Sequence, residues 1–265
     1  MPVAAEIEVR PTIDRGWLER AASLAPLTHA YALWDLDRTP ADVRFASAVR
    51  DEETLGYLLV WFGRRDRPVV HWYGPADLVP ALLPSFPAPP FLAVVPPEVE
   101  PAVAAAFPDS VRTPLRMMLR EPGWAGLHAG GVGVRRLVRR DRPELVAFVR
   151  GQQEAELGAY AGLDPGAEPV WGAFEAGRLV GVARAAVRLP WVWVVGGVFV
   201  LPSRRGRGTG HALVATVVRE AERAGARAGL YAREEPPVAL QLYEGLGFRE
   251  IGRRSWLDVR PARPA

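Results

Sequence analysis

Eight residues of this sequence, Arg204–His211, have a composition that suits the binding of an anion. They read RRGRGTGH, with three alternating glycines and three arginines between an apolar run, WVWVVGGVFVL, and a helical pattern, ALVATVVREAERAG. Glycine lets backbone N–H groups turn toward one concavity, and the N-terminal end of the next helix adds positive potential. Arginine adds charge-assisted hydrogen bonds to phosphate oxygens. The stretch therefore predicts a pyrophosphate site, with a tight strand-to-helix turn as the alternative.

Three other kinds of glycine- or arginine-rich site fit the stretch less well. A dinucleotide fingerprint, G-x-G-x-x-G, has His211 at its third glycine. A nucleoside-triphosphate loop needs a lysine, and the chain contains none. Arginine-glycine tracts that bind RNA are repeated and disordered, whereas this one is short and lies between two patterned elements. The remaining hypothesis is an anion-binding loop of a kind different from these three.

Composition and charge define the class of protein. The 265 residues are 49% hydrophobic and 24% charged, which is typical of a globular protein of one large or two ordinary domains. Cysteine is absent and the four histidines have no helical spacing, so we expect no metal site. The net charge is +3 and the arginines are spread along the chain, so we expect no nucleic-acid partner. With no signal-peptide core and no apolar run of membrane-spanning length, no membrane association and a cytoplasmic location are expected.

The hydrophobic pattern divides the chain into two halves. A Gly- and Pro-rich stretch at 121–131 interrupts the pattern, so we predict domains at 1–125 and 126–265. Strands alternate with helices after an antiparallel opening, which predicts an α/β fold with a mixed sheet. The predicted strands are Val43–Val49, Thr54–Phe62, Val69–Tyr73, Phe91–Val95, Arg112–Leu119, Val134–Val138, Val170–Glu175, Leu179–Val187, Trp191–Val200, Ala228–Ala232 and Arg254–Val259.

Two strings in the second half resemble a known family. VFVLPSRRGRGTGHALV resembles the acetyl-CoA signature of the GCN5-related N-acetyltransferases (GNATs), whose R/Q-x-x-G-x-G/A pattern falls on Arg205, Gly208 and Gly210. ALQLYEGLGF, from residue 239 to 248, is similar to the helix-and-strand motif that follows it in the family at this spacing. The resemblance covers about 132–259. It implies the acyl-CoA N-acyltransferase fold, with acetyl-CoA as cosubstrate.

The resemblance also implies which residues hold the cosubstrate. The strand ending Val198-Phe199-Val200 should lend backbone groups to the pantetheine arm and diverge from Ala228–Ala232 to leave a wedge. Gly196-Gly197 inside that strand predicts a bulge or a close approach. The pyrophosphate should lie in the glycine loop, whose members are Arg205, Gly206, Arg207, Gly208, Thr209, Gly210 and His211.

Catalytic residues are less fully defined by the resemblance. Tyr243 occupies the position of the general acid that reprotonates the departing thiolate in many relatives, although it could also be a packing aromatic. The family often places a glutamate on the strand before the glycine loop to deprotonate the amine, but Trp191–Leu201 contains no acid. The general base is therefore unassigned. The weaker candidates, each also interpretable as a surface carboxylate, are Glu154, Glu156, Glu234 and Glu235.

The first half is predicted to be a second copy of the same domain that has no cosubstrate site. Residues 43–119 repeat the element order of the second half from its hairpin onward, but VVHWYG runs into PADLVPALLP without a glycine-arginine loop. We interpret it as a degenerate GNAT-like domain without a cosubstrate site, the alternative being an unrelated α/β domain. Its most distinctive strings, His71–Tyr73 and Trp34–Asp37, are interpreted as aromatic core and loop.

Two functions from different classes follow. The first is an N-acetyltransferase that moves the acetyl group of acetyl-CoA directly to a primary amine, either on a small molecule or on a protein. The second, favoured by the missing strand carboxylate, is a non-catalytic acyl-CoA-binding regulatory module. Neither the acceptor nor the oligomeric state is encoded in a recognisable motif.

Overall fold

Each of the predicted strands is present, with its ends at the predicted residues or shifted from them by a few residues. The computed structural model describes residues 6–63, 67–123, 133–152, 155–160 and 162–261. Its strands are β1 (Glu8–Arg10), β2 (Val43–Arg50), β3 (Glu53–Trp61), β4 (Val69–Tyr73), β5 (Phe91–Val95), β6 (Val111–Arg120), β7 (Gly133–Arg136), β8 (Val170–Glu175), β9 (Arg178–Arg188), β10 (Val192–Val200), β11 (Arg227–Arg233) and β12 (Arg249–Val259). Its α-helices are α1 (Arg15–Leu24), α2 (Pro26–Arg38), α3 (Val79–Leu82), α4 (Glu100–Ala106), α5 (Arg142–Arg150), α6 (Thr209–Arg223) and α7 (Pro237–Gly245). The predicted mixed α/β fold is confirmed.

The chain falls into two compact units. Unit 1 comprises Met1–Met117 together with Gly252–Ala265, and unit 2 comprises Met118–Ile251. This division differs from the predicted one at 125/126. One cause is that the last strand, β12, pairs antiparallel with β5 of unit 1, from Ser255↔Val95 to Val259↔Phe91. The other is that the end of β6 belongs to unit 2. A break in the hydrophobic pattern indicates a loop but carries no information on which strands pair.

Unit 2 contains a sheet in the order β11-β10-β9-β8-β7. Strands β7 to β10 are antiparallel neighbours, whereas β10 and β11 are parallel. Helix α6 covers one face, because Leu213, Val214 and Val217 recur at helical spacing and are buried there. A separate cluster that includes Phe148, Tyr160 and Phe199 forms away from the α6 core, where α5 and a 3₁₀ helix pack.

Unit 1 repeats the strand arrangement of unit 2. Strands β2, β3 and β4 are antiparallel neighbours, and β4 pairs in parallel with β5, as β8, β9, β10 and β11 do in unit 2. The short α3 follows β4, where the longer α6 follows β10. The predicted repetition of element order is therefore confirmed, although the helix after the parallel strand differs in length.

Helices α1 and α2 precede this repeat in unit 1. Trp34–Asp37 lies inside α2 rather than in a loop, because Leu27, Ala30 and Leu33 recur at helical spacing and bury one face of the helix. His29 on the same helix is buried and lies with its Nδ1 2.9 Å from the hydroxyl of Tyr57. The apolar core of unit 1 thus includes a polar side chain of α2, that of His29.

Asp35 is a buried carboxylate on α2, and its burial raises its pKa to about 7. Because the folded state favours the protonated acid, the stability linked to Asp35 is lost as pH rises from the unfolded value near 4 through about 7. Asp35→Asn, which is neutral at every pH, is expected to raise the free energy of unfolding by about 4 kcal/mol at pH 8 and by little at pH 4. Urea unfolding at the two pH values measures the difference.

Asp37→Asn on the same helix is the matched control. Asp37 is more exposed and pairs with Arg15 at 2.8 Å. Its removal is expected to change the stability by less than about 1 kcal/mol. Equal effects of Asp35→Asn at pH 4 and pH 8 would contradict the assignment of a buried, titrating carboxylate.

Within the described ranges, no helix combines the length and apolar character that crossing a membrane requires.

Candidate functional site

The strands β10 and β11 separate halfway along their length. They pair in parallel from Val192↔Arg227 to Val195↔Leu230, and the pairing ends there although both strands continue. On its other side β10 stays paired with β9 as far as Val200. Among the described residues, β11 therefore supplies no ladder partners to the backbone of Gly196–Val200, although the carbonyl oxygens of Gly197 and Val200 accept hydrogen bonds from side chains. This is the divergence that the resemblance implies.

A bulge marks the start of the open segment. The register of β10 against β9 shifts between Gly196 and Phe199, and Gly197 has φ +59°. A Cβ on Gly197 would lie 2.8 Å from Cε2 of Tyr160, so only glycine fits. The predicted bulge and the predicted close approach are both present at this glycine.

Tyr160 holds the bulge in place and was not singled out by the sequence. Its hydroxyl donates a hydrogen bond of 2.6 Å to the carbonyl oxygen of Gly197, and burial raises its pKa. Tyr160→Phe is expected to lower the free energy of unfolding by about 1–2 kcal/mol, because the carbonyl loses its partner. Urea unfolding measures this change. Tyr243→Phe is the control, since no hydrogen bond of its hydroxyl occurs in the described part of the chain; equal losses would contradict the role of the Gly197 bond.

The glycine loop follows β10 directly. Pro202–Arg204 forms a 3₁₀ turn, after which Gly206 and Gly208 have φ +73° and +78°. A Cβ on either of these glycines would meet no atom within 4 Å, so the space beside both is open. Gly210 is different, because a Cβ there would lie 3.1 Å from Cδ1 of Leu242. Gly206 and Gly208 shape an open loop, whereas Gly210 lets α6 approach α7.

Helix α6 presents free amides toward this loop. Its first backbone hydrogen bond runs from the N–H of Ala212 to the carbonyl oxygen of Gly208, at 2.9 Å. The N–H groups of Thr209, Gly210 and His211 therefore precede the helical hydrogen-bond ladder. Thr209 is buried and His211 is half-buried. An anion placed at this end of the 15-residue helix would meet unpaired donors and the positive end of the helix dipole.

Arginine side chains surround the loop. Nε of Arg205 donates to the carbonyl oxygen of Val200 at 3.1 Å, and its guanidinium carbon lies 5.6 Å from the centre of the Phe199 ring. Arg207 is exposed, with NH1 3.9 Å from Oε1 of Glu175. Both predicted phosphate ligands thus lie beside the loop. Arg205 is held against the end of β10, and the ion pair of Arg207 is long and screened by solvent.

Tyr243 lies on α7 at the edge of the core that α6 covers. It packs against the same buried cluster as Val198 and Val200, and its ring centre is 6.0 Å from that of Phe248. Desolvation raises the pKa of Tyr243 to about 12. The hydroxyl therefore keeps its proton at neutral pH, as a proton donor must. Its predicted role as general acid stays a prediction.

Comparison with known proteins agrees with this geometry. Residues 133–248 match the model of a family described as the acetyltransferase (GNAT) family. These residues form a GNAT domain. No curated protein matches the sequence of the chain.

Solved structures extend the likeness beyond the GNAT domain. A tandem GNAT protein from the clavulanic acid biosynthesis pathway is 15% identical, covering 97% of this chain and 100% of its own, with a TM-score of 0.61. A GCN5-related N-acetyltransferase from Sphaerobacter thermophilus is 16% identical, covering 98% of both chains, with a TM-score of 0.59. A Drosophila protein is 15% identical over 97% of this chain and 99% of its own, with a TM-score of 0.69. At these identities the likeness establishes the fold, which is GNAT-like in the N-terminal half as well.

The turn that follows β4 in the N-terminal half is closely packed, unlike the glycine loop of the GNAT domain. Gly74 follows β4 with φ +125°, and a Cβ there would lie 2.8 Å from Cδ1 of Leu78 and 3.0 Å from Cα of Gly56. The carbonyl oxygen of Gly74 accepts a 2.8 Å hydrogen bond from Nε1 of Trp72. The space beside Gly206 and Gly208 in the GNAT domain is open, whereas the corresponding space beside Gly74 is occupied by Leu78 and Gly56. That the N-terminal half has no cosubstrate site stays a prediction.

Only two of the four carboxylates considered as general base have side chains within the described residues. Glu235 is exposed and Glu234 is half-buried at the end of β11. Glu154 lies outside the described residues, and the backbone of Glu156 belongs to the 3₁₀ helix Ala155–Tyr160. Among the described residues, no three His, Asp or Glu side chains are grouped closely enough to hold a metal ion. The general base therefore stays unassigned.

Proposed function

We propose that the GNAT domain transfers the acetyl group of acetyl-CoA to a primary amine. The observation that carries this proposal is the open edge of β10, which runs from Gly196 to Val200 and leads directly into the glycine loop. A flexible arm that carries amide groups can pair with such an edge as a strand does. A pyrophosphate at one end of that arm would then reach the loop and the first turn of α6.

The residues present fit this cosubstrate at both ends. Val198, Phe199 and Val200 offer backbone groups to the pantetheine arm. The pyrophosphate would accept hydrogen bonds from backbone amides of the loop and from the guanidinium groups of Arg205 and Arg207. The residues proposed to hold it are Arg205, Gly206, Arg207, Gly208, Thr209, Gly210 and His211.

Few groups of the chain need to act chemically. Acetyl-CoA supplies a thioester whose carbonyl carbon is open to attack by a neutral amine. As the C–N bond forms and the C–S bond breaks, backbone N–H groups at the open edge of β10 would stabilise the charge on the carbonyl oxygen. Tyr243 would donate its proton to the sulfur. The proton lost by the amine would leave through water, because β10 carries no carboxylate to accept it, and Tyr243 would regain a proton from water.

A non-catalytic acyl-CoA-binding module is the second candidate. The missing acid on β10 and the exposure of Glu235 favour it. Both candidates require acetyl-CoA binding, and only the first requires turnover.

Calorimetric titration with acetyl-CoA, followed by a thiol-release assay with a panel of amines, separates the two candidates. The panel should include simple amines, amino acids and peptides with free N-termini. Binding with thiol release and an acetylated product supports the transferase. Binding without release from any amine supports the module, and absence of acetyl-CoA binding contradicts both.

A further inference from the structure

Arg184 is a charged side chain in the middle of the GNAT sheet. It lies on β9 between Val170 of β8 and Gly196 of β10, with which it is in register. Its side chain is only 23% exposed. Arginine in such a position is seldom left without close partners, because burying a guanidinium is costly.

The guanidinium of Arg184 is poorly satisfied by the described residues. Its Nε is buried and has no hydrogen-bond partner within the part of the chain that the structure describes. The nearest carboxylate oxygen, Oε2 of Glu168, lies 3.9 Å from NH1, and the side chain of Glu168 is 48% exposed. This ion pair is too long for a hydrogen bond and is screened by water. Arg184 therefore keeps donors that a ligand could use.

These donors lie next to the start of the open edge of β10. Gly196 faces Arg184 across the strand pair, and a Cβ on Gly196 would meet one neighbour within 4 Å, Cβ of Ala186 at 3.4 Å. Tyr160, bonded to Gly197, is close enough for the charge of Arg184 to oppose the raised pKa of its hydroxyl. The small residues Gly196 and Ala186, with Tyr160 nearby, thus leave space beside the side chain of Arg184.

The proposed cosubstrate would bring its reacting end to this place. Its pyrophosphate lies at the loop after Val200, so the arm runs back along β10 toward Gly196, where the strands rejoin. The acetyl group at the end of the arm would lie near the bulge. An amine that attacks it must approach the same point, and the rest of the acceptor then lies within reach of Arg184.

We infer that the acceptor is a small amino acid-like molecule whose carboxylate is bound by Arg184. This inference rests on the proposed function. A planar guanidinium binds a carboxylate through two parallel hydrogen bonds. The nearby charge of Glu168 favours a monoanion over a doubly charged phosphate, because it repels the second negative charge.

The test compares acceptors that differ only in the carboxylate. Amino acids and the amines formed by their decarboxylation are assayed in pairs with the wild type, Arg184→Gln, Arg184→Lys and Arg178→Gln. Arg178 is an exposed arginine at the start of the same strand, so its variant controls for loss of a positive charge. Rates are compared at equal concentrations of neutral amine, and acetyl-CoA affinity is measured for every variant.

The wild type is expected to prefer each reactive amino acid over its decarboxylated partner by about 10- to 100-fold in kcat/KM, which is the range of a charge-assisted pair. Arg184→Gln should lose this preference through a higher KM, Arg184→Lys should recover part of it, and Arg178→Gln should retain it. Acetyl-CoA affinity should not change. Absence of the preference in the wild type, or an equal loss for both acceptors in Arg184→Gln, would overturn the inference.

A second readout separates this inference from the proposed function. If no amine is acetylated, the transferase proposal fails, but N-acetyl amino acids can still be titrated into the protein in the presence of CoA. Binding to the wild type that is at least about 10-fold weaker in Arg184→Gln supports the carboxylate site. No binding to the wild type, or equal binding to both proteins, overturns it.

Discussion

Gly208→Ala is expected to weaken acetyl-CoA binding by about 100-fold, the equivalent of losing one or two charge-assisted hydrogen bonds. Gly208 is the N-cap of α6 with φ +78°, and the space beside it is open. A methyl group there would occupy room that the proposal gives to a phosphate oxygen. It would also strain the turn that directs the amides of Thr209 and Gly210. Calorimetric titration with acetyl-CoA measures the loss.

Gly225→Ala is a closely matched control for this variant. Gly225 follows the other end of α6, with the same φ of +78° and likewise no atom within 4 Å of a Cβ. Both substitutions should lower the free energy of unfolding by about 1–2 kcal/mol, because alanine is strained at this φ. Only Gly208→Ala should lose affinity. Equal acetyl-CoA affinities in the two variants would remove the loop from the proposed site.

Tyr243→Phe is expected to lower kcat by about 10²- to 10⁴-fold, the usual contribution of a positioned general acid. The contact with Phe248 is kept, so stability and acetyl-CoA affinity should remain near those of the wild type. Steady-state kinetics with a reactive amine, together with the binding titration, measure the two effects separately. Unchanged kcat would assign Tyr243 to packing alone.

The pH dependence of turnover adds a second check on Tyr243. Since burial raises its pKa to about 12, the hydroxyl stays protonated, and able to donate, at all pH values well below 12. The wild-type rate should therefore show no decline between pH 8 and 10 from loss of this proton. A basic limb in that interval that disappears in Tyr243→Phe would contradict the raised pKa.

Local patterns predicted the strand-loop-helix part of the site well. The apolar run before the loop, the alternating glycines and the helical spacing of Leu213 and Val217 all lie within one short segment, and each is set by local geometry. The bulge at Gly197 could also be predicted, because paired glycines inside an apolar strand have few other uses. The strands of the repeat were predictable for the same reason.

Features that depend on distant residues were not predictable in this way. Tyr160 reads as one aromatic in a helical segment, and its bond to Gly197 exists only once two separate segments pack together. Arg184 reads as a polar residue alternating along a strand, which usually faces solvent. Its burial follows from the order of β8, β9 and β10. Helix α2 carries the buried polar residues His29 and Asp35, which weaken the helical pattern of its sequence.

The pairing of β12 with β5 has a consequence for folding during synthesis. Phe91–Val95 leaves the ribosome long before Ser255–Val259, its antiparallel partner. All of unit 2 is made in the interval, so its strands can pair while one edge of β5 still waits for a neighbour. Closing so long a loop is slow compared with local pairing. The unit that lacks the glycine-arginine loop is thus completed last, although most of its sequence is translated first.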